Sequence, residues 1–156
     1  MQEKKDTLMS VIRWGSIILM LAIIVLQFLP FWNIDGKQIS VAAYMWWPEK
    51  NKELTEFMRT TLGNSTFDVR NILNEGFVQI LTAVLGIFWY LTRKNDFWTV
   101  VVPVICSVVG IWAYVMNPAF RYGGNWILQL VLNVILLALS VIRVIKIVKN
   151  FEIITK

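Results

Sequence analysis

Four long stretches without a single charged residue constrain this chain more than any other feature of its sequence. They cover residues 14–34, 76–92, 97–120 and 122–142 and are 21, 17, 24 and 21 residues long. One helix needs about 20 apolar residues to cross a hydrocarbon core of about 30 Å, with about 17 as the lower limit. The runs therefore predict an all-α integral membrane protein, a bundle of four transmembrane helices. Only 16% of the residues are charged, against about 25% in soluble domains, which excludes that class.

The predicted spans cover about residues 11–31, 72–92, 97–117 and 125–147 of a single membrane domain comprising residues 1–156. The first apolar run is too long for a signal peptide and has no small-x-small cleavage motif at its end. The second run is the shortest. We therefore expect its helix to start before Glu75, near Thr66, where Ser65 and Asp68 resemble a capping box.

Basic residues are divided unevenly between the two sides of the predicted membrane. Nine bases (Lys4, Lys5, Arg13, Arg93, Lys94, Arg143, Lys146, Lys149 and Lys156) share one side with four acids, whereas the other side carries six bases and six acids. Lys and Arg in short loops resist translocation, so the base-rich side is predicted to be cytoplasmic. The chain is therefore expected to be a multi-pass protein of the cell membrane with both termini in the cytoplasm. Anionic lipid headgroups are the nearest partners for these bases, and no nucleic-acid partner is predicted.

Aromatic residues are expected to mark the two interfaces, since amphipathic rings prefer the headgroup level. The residues assigned to the inner headgroup level are Trp14, Trp89, Tyr90 and Trp98. Those assigned to the outer headgroup level are Trp32, Phe77, Phe120, Tyr122 and Trp126.

The connection between the first two spans, residues 30–75, is too long to be a structureless loop in a compact protein. Within it, Asp35-Gly36 is a two-residue turn signal between apolar flanks, which predicts a β-hairpin in which Trp32 faces Ile39. Trp32, Ile34, Ile39, Val41 and Ala43 are predicted to share its apolar face.

A short helix is predicted after the hairpin. Leu54 and Met58 follow a predicted N-cap at Asn51 with helical spacing, and Gly63 supplies a stop. Hairpin and helix together predict a folded extracytoplasmic cap. Its aromatic residues Tyr44, Trp46 and Trp47 are candidates for a partner-binding surface, because such rings often anchor interfaces; the interfacial belt is the alternative for them.

The order of elements, with a first span, a hairpin, a short outer helix and three further spans, is similar to that of the claudin and tetraspan class of four-helix proteins. The resemblance is one of topology, an analogy at the level of the fold. The Gly-Leu-Trp motif and the two outer cysteines of claudins are absent, since Trp46-Trp47 has another context and the loop has no cysteine.

Polar residues inside the apolar runs need partners away from lipid and are predicted to face the bundle interior. Eight residues form the candidate polar interior: Gln27, Glu75, Gln79, Thr82, Ser107, Gln129, Asn133 and Ser140. One interpretation is that they bond adjacent helices to one another; the other is that they line a polar path with Glu75 at its mouth. The first is favoured, because no ionisable residue is expected deep in a span to carry a coupled proton.

No catalytic, metal-binding or cofactor-binding residue is predicted, and the protein is not expected to be an enzyme. Histidine is missing from the sequence, and the one cysteine, Cys106, lies in an apolar run where a thiol usually serves packing. The composition favours a non-catalytic membrane protein: an accessory, sensory or complex subunit whose cap recognises a protein partner or a second copy of the chain. The alternative is a small four-helix transporter or channel that uses the polar interior.

Overall fold

A computed structural model of the protein describes the backbone of residues 2–46, 48–63, 70–93 and 97–154, and the side chains of residues 7–43, 52–61, 63, 75–93 and 97–148. Helices dominate the fold, and two short strands form a hairpin. In chain order the elements are α1 (Gln2–Phe28), β1 (Pro30–Ile34), β2 (Lys37–Ser40), α2 (Val41–Trp46), α3 (Pro48–Leu62), α4 (Arg70–Thr92), α5 (Trp98–Met116), α6 (Pro118–Arg121) and α7 (Trp126–Ile154).

Four of these helices are long and apolar enough to cross a membrane, as the uncharged runs predicted. The apolar stretches are Thr7–Phe28, Glu75–Thr92, Trp98–Met116 and Trp126–Val148, and their composition indicates a multi-pass membrane protein. The first helix ends at Phe28, before the predicted limit at residue 31, because Pro30 opens strand β1. The predicted helix start near Thr66, with Ser65 and Asp68, lies outside the described residues.

The four long helices form a ring in which each helix packs against two others. Helix α1 packs against α4 and α7, and α5 packs against the same two helices, so that α1 lies diagonally opposite α5, and α4 opposite α7. We call the end of the bundle at Phe28 and Met116 the cap end. The opposite end, at Thr92 and Trp98, is the basic end.

The distribution of polarity is reversed relative to a soluble bundle. Large apolar side chains face outwards, with Ile18 63% and Ile127 60% exposed, while Gln27, Gln129 and Asn133 are completely buried. Such an arrangement is stable where the surroundings are apolar, because each amide then bonds within the protein.

The predicted hairpin is present with the predicted register. Asp35 (φ 50°) and Gly36 (φ 79°) both have positive φ, which is the geometry of a tight hairpin turn, and Trp32 pairs with Ile39. Ile34 joins these two on the buried face. Val41 is also buried, but it starts α2, so the described part of the connection between α1 and α4 contains two helices, α2 and α3, where one was predicted.

The hairpin is packed onto the cap end of the bundle through two aromatic residues. The Trp32 indole donates a hydrogen bond from Nε1 to the carbonyl oxygen of Ala119 at 2.8 Å, and the Gly124 backbone N–H donates to the carbonyl oxygen of Phe31 at 2.7 Å. A Cβ on Gly123 would lie 2.1 Å from the Phe31 ring, so glycine is required for this approach. Trp32 is therefore a core residue, and its assignment to the outer interface was wrong.

Helix α3 completes the cap. Its residues Leu54 and Met58 are completely buried in one cluster with Trp32 and Phe120. Phe120 is only 1% exposed and, like Trp32, does not mark the interface. On the surface, Lys37 of β2 and Glu53 of α3 form an ion pair at 3.1 Å. The cap and the cap end of the bundle thus share one hydrophobic core.

Candidate functional site

The centre of the bundle near the cap end is occupied by a cluster of amide side chains. Gln27 on α1, Gln79 on α4, and Gln129 and Asn133 on α7 are all at most 2% exposed. The spacing of 4 residues between Gln129 and Asn133 places both on the same face of α7. We refer to these four residues with Tyr114 of α5 as the amide cluster.

The Gln27 amide nitrogen lies at the centre of the cluster. Its Nε2 atom is 2.8 Å from Gln79 Oε1, 2.9 Å from Gln129 Oε1 and 3.0 Å from Tyr114 Oη. The nitrogen carries two hydrogens, which are shared among three acceptors on three other helices. One side chain of α1 therefore contacts α4, α5 and α7 at the same point.

The remaining bonds extend the cluster along α7. Tyr114 donates from its hydroxyl to Gln129 Oε1 at 2.6 Å, and Gln79 donates from Nε2 to Asn133 Oδ1 at 2.9 Å. Asn133 in turn donates to the backbone carbonyl of Gln129 at 2.7 Å, and Gln129 donates to Asn125 Oδ1 at 3.3 Å. Most of the hydrogen-bond donors and acceptors on these five side chains thus have partners within the protein.

Gly110 of α5 allows this cluster to close. A Cβ at this position would lie 2.2 Å from Gln79 Nε2 and 2.3 Å from Asn133 Oδ1. These distances are shorter than any that a real Cβ tolerates. The amide groups therefore fill the space that a larger residue would need.

The three hydroxyl candidates do not join the amide cluster. Ser107 and Ser140 are buried, and each donates to a carbonyl of its own helix, that of Val104 or Leu136. Thr82 is partly buried and also bonds within its own helix, to Val78 O. Such bonds satisfy a hydroxyl in apolar surroundings without connecting helices.

Glu75 lies at the cap end, half-buried. It accepts a hydrogen bond from Asn117 Nδ2 at 3.3 Å, while Asn117 Oδ1 caps α6 by accepting from the Ala119 backbone N–H at 3.1 Å. The Glu75 carboxylate therefore connects the start of the apolar part of α4 with the turn after α5.

Two polar residues of the interior were missing from the sequence-based site. Tyr114 is a core member of the amide cluster; its spacing of 4 residues from Gly110 in α5 was the available signal.

Arg143 was counted with the cytoplasmic bases, yet it is only 2% exposed. Its Nη2 atom donates to Thr99 Oγ1 at 3.0 Å, and its guanidinium carbon lies 4.4 Å from the centroid of the Tyr90 ring. Tyr90, assigned to the inner interface, is completely buried beneath it.

The candidate partner surface, Tyr44, Trp46 and Trp47, lies outside the residues whose side chains are described. Among the described residues, no three Cys, Asp or Glu side chains come together in a group that could hold a metal ion. Cys106 is buried, with its Sγ atom 3.7 Å from the carbonyl oxygen of Gln79.

No family model, curated protein sequence or solved structure matches this chain. The similarity to the claudin and tetraspan class therefore remains one of element order.

The contact of Gly110 with the amide cluster yields a matched pair of variants. Gly110→Ala should lower the free energy of unfolding in detergent by about 1–3 kcal/mol, the usual range for overpacking a core. Gly15→Ala is the control, since its Cβ would meet Leu139 at an ordinary 3.5 Å. Thermal unfolding of both purified variants is the measurement. Equal stability of the two would contradict a close-packed cluster.

Proposed function

We propose that this chain is a non-catalytic, multi-pass protein of the cell membrane that serves as an accessory, sensory or complex subunit. Its bundle acts as a scaffold, and its extracytoplasmic cap recognises a protein partner or a second copy of the chain. The observation that carries the proposal is the mutual bonding of the amides in the bundle centre.

That bonding supports a scaffold over a transport path. A path for ions or polar solutes needs groups that are free to exchange partners with water or with the solute. Here Gln27, Gln79 and Asn133 donate to other protein groups, and Gly110 lies directly against the amides of Gln79 and Asn133. Among the described atoms of the cluster, the Gln27 Oε1 atom alone is buried without a hydrogen-bond partner. Hydrogen bonds between amide side chains of different helices are well suited to fixing those helices relative to one another.

The packing of the cap supports its role in recognition. A binding surface is more effective when it is held rigid before the partner arrives, because less conformational entropy is lost on association. Phe31 and Trp32 fix the hairpin to the turn between α5 and α7, and Leu54 and Met58 fix α3 to the hairpin. This anchoring leaves the solvent side of the cap available to a partner.

The proposed orientation places both termini and the basic end in the cytoplasm and the cap outside. A cysteine at Lys37 in a Cys106→Ser background should react with a membrane-impermeant maleimide in intact cells. A cysteine at Arg93, also exposed but at the basic end, should react only after permeabilisation. The reverse pattern would overturn the orientation.

Recognition through the cap can be tested at its turn. Replacing Asp35 and Gly36 together by valine puts β-branched residues at positive φ, which costs about 1–2 kcal/mol for each residue. The double variant should lose protease resistance in the cap and should lose a partner that is crosslinked to the wild-type cap in intact cells. Gln38→Val, an exposed strand position, should retain both properties. Retention of the same crosslinked partner by a cap that has become protease-sensitive would contradict recognition by the folded cap.

Asn133→Leu distinguishes a scaffold from a transporter. For a scaffold, the variant should lose about 0.6 kcal/mol of stability in detergent, and at most about 1.7 kcal/mol, for each interhelical bond removed. Liposomes that contain the wild-type protein should then show no more ion flux than empty liposomes. Flux through the wild type that disappears in a folded Asn133→Leu variant would replace our proposal by a transporter or channel.

A further inference from the structure

A second polar constellation lies at the basic end, away from both the cap and the amide cluster. The guanidinium of Arg143 donates to Thr99 Oγ1 at 3.0 Å and lies 4.4 Å from the centre of the Tyr90 ring. Thr99 and Tyr90 are completely buried. These contacts hold the guanidinium group at the junction of α4, α5 and α7.

Arg13 of α1 reaches the same turn of α4. Its Nη2 atom lies 3.4 Å from the carbonyl oxygen of Leu91, the residue that follows Tyr90. Lys146 lies on the same face of α7 as Arg143, one turn further along, and Arg93 directly follows α4. The charged side chains described at this end, Arg13, Arg93, Arg143 and Lys146, are all basic.

Buried hydrogen-bond donors at this end have no acceptor among the residues that the structure describes. They include the Tyr90 hydroxyl, whose residue is completely buried, and the Nε atom of Arg13. Buried polar groups nearly always have a partner, and leaving one without a bond is costly. A hydroxyl and a guanidinium N–H both donate, so a single group that satisfies both must offer at least two acceptor lone pairs, as phosphate oxygens do.

We propose that the basic end binds a phosphate group, and that an anionic phospholipid headgroup supplies it. Phosphate offers the oxygens that the Tyr90 and Arg13 donors require, and arginine is the side chain best matched to its geometry. The lipid origin follows from the apolar surroundings. Trp14, next to Arg13, is 52% exposed and Trp98, next to Thr99, is 48% exposed, and such exposed indoles are typical of the headgroup level.

The test is binding of lipid by the purified full-length chain in neutral detergent, followed as a rise in Tm. Short-chain phosphatidylglycerol should raise the Tm at concentrations at which phosphatidylcholine has little effect. Tyr90→Phe retains the ring under Arg143 and the net charge, and should weaken the apparent affinity about tenfold, which corresponds to one hydrogen bond to a charged group. Arg13→Gln should weaken it at least as much. Tyr122→Phe and Arg121→Gln are the matched controls at exposed positions of the cap end and should bind as the wild type does.

Three outcomes would overturn the proposal. Equal affinity of Tyr90→Phe and the wild type would show that the donor group is not used. Equal stabilisation by phosphatidylcholine would show that no anionic headgroup is selected, as would be expected if an acid of this chain, such as Asp96, supplied the acceptor. An equal rise with sodium phosphate alone would assign the site to free phosphate and refute the lipid. Because the measurement is made in detergent, it does not depend on the proposed orientation or on the role of the cap.

Discussion

The fold depends on one amide nitrogen at which all four long helices meet. Gln27 Nε2 contacts acceptors on α4, α5 and α7 at 2.8–3.0 Å, so that a single side chain of α1 fixes the other three helices relative to one another. In lipid the apolar surfaces of helices gain little from contact with one another, and packing and polar contacts become the main source of specificity. A displaced α1 would leave Gln79, Tyr114 and Gln129 with fewer partners in an apolar interior, where an unsatisfied polar group is costly.

The amide cluster also connects the bundle to the cap. Tyr114 donates to Gln129 within the cluster, and its ring belongs to the hydrophobic core that contains Phe31, Trp32 and Phe120. The rings of Tyr114 and Phe120 are 5.1 Å apart, and those of Phe31 and Trp32 are 4.6 Å apart, both edge to face. Aromatic contacts of this geometry contribute about 0.5–1.5 kcal/mol beyond the burial of area. Contiguous contacts thereby join the bundle centre to the hairpin.

Below the amide cluster, the bundle changes from an apolar layer to a basic one. Met20, Ala83 and Leu136 fill the middle layer, and Gly86 is close to Met20, because a Cβ there would lie 2.6 Å from its sulfur. At the basic end Arg143 is buried against Thr99 and Tyr90. The two polar regions thus have different chemistry: the amide cluster consists of neutral groups bonded to one another, whereas the basic end holds cationic and hydroxyl donors.

Local pattern was sufficient to predict four apolar helices and the hairpin, since run length, turn chemistry at Asp35-Gly36 and period-two alternation act within a few residues. The need of polar groups in apolar runs for partners away from lipid also predicted that Gln27, Gln79, Gln129 and Asn133 face the bundle interior. The sequence by itself did not determine which polar groups bond to one another, because Gln27 and Gln129 are 102 positions apart. The indole of Trp32 and the phenol of Tyr90 suit a membrane interface or a protein core equally well. Both are core residues here because Trp32 donates to the Ala119 carbonyl and Tyr90 packs under the Arg143 guanidinium. Tertiary structure decided these points because burial and pairing depend on neighbours that the chain brings together only when the helices pack.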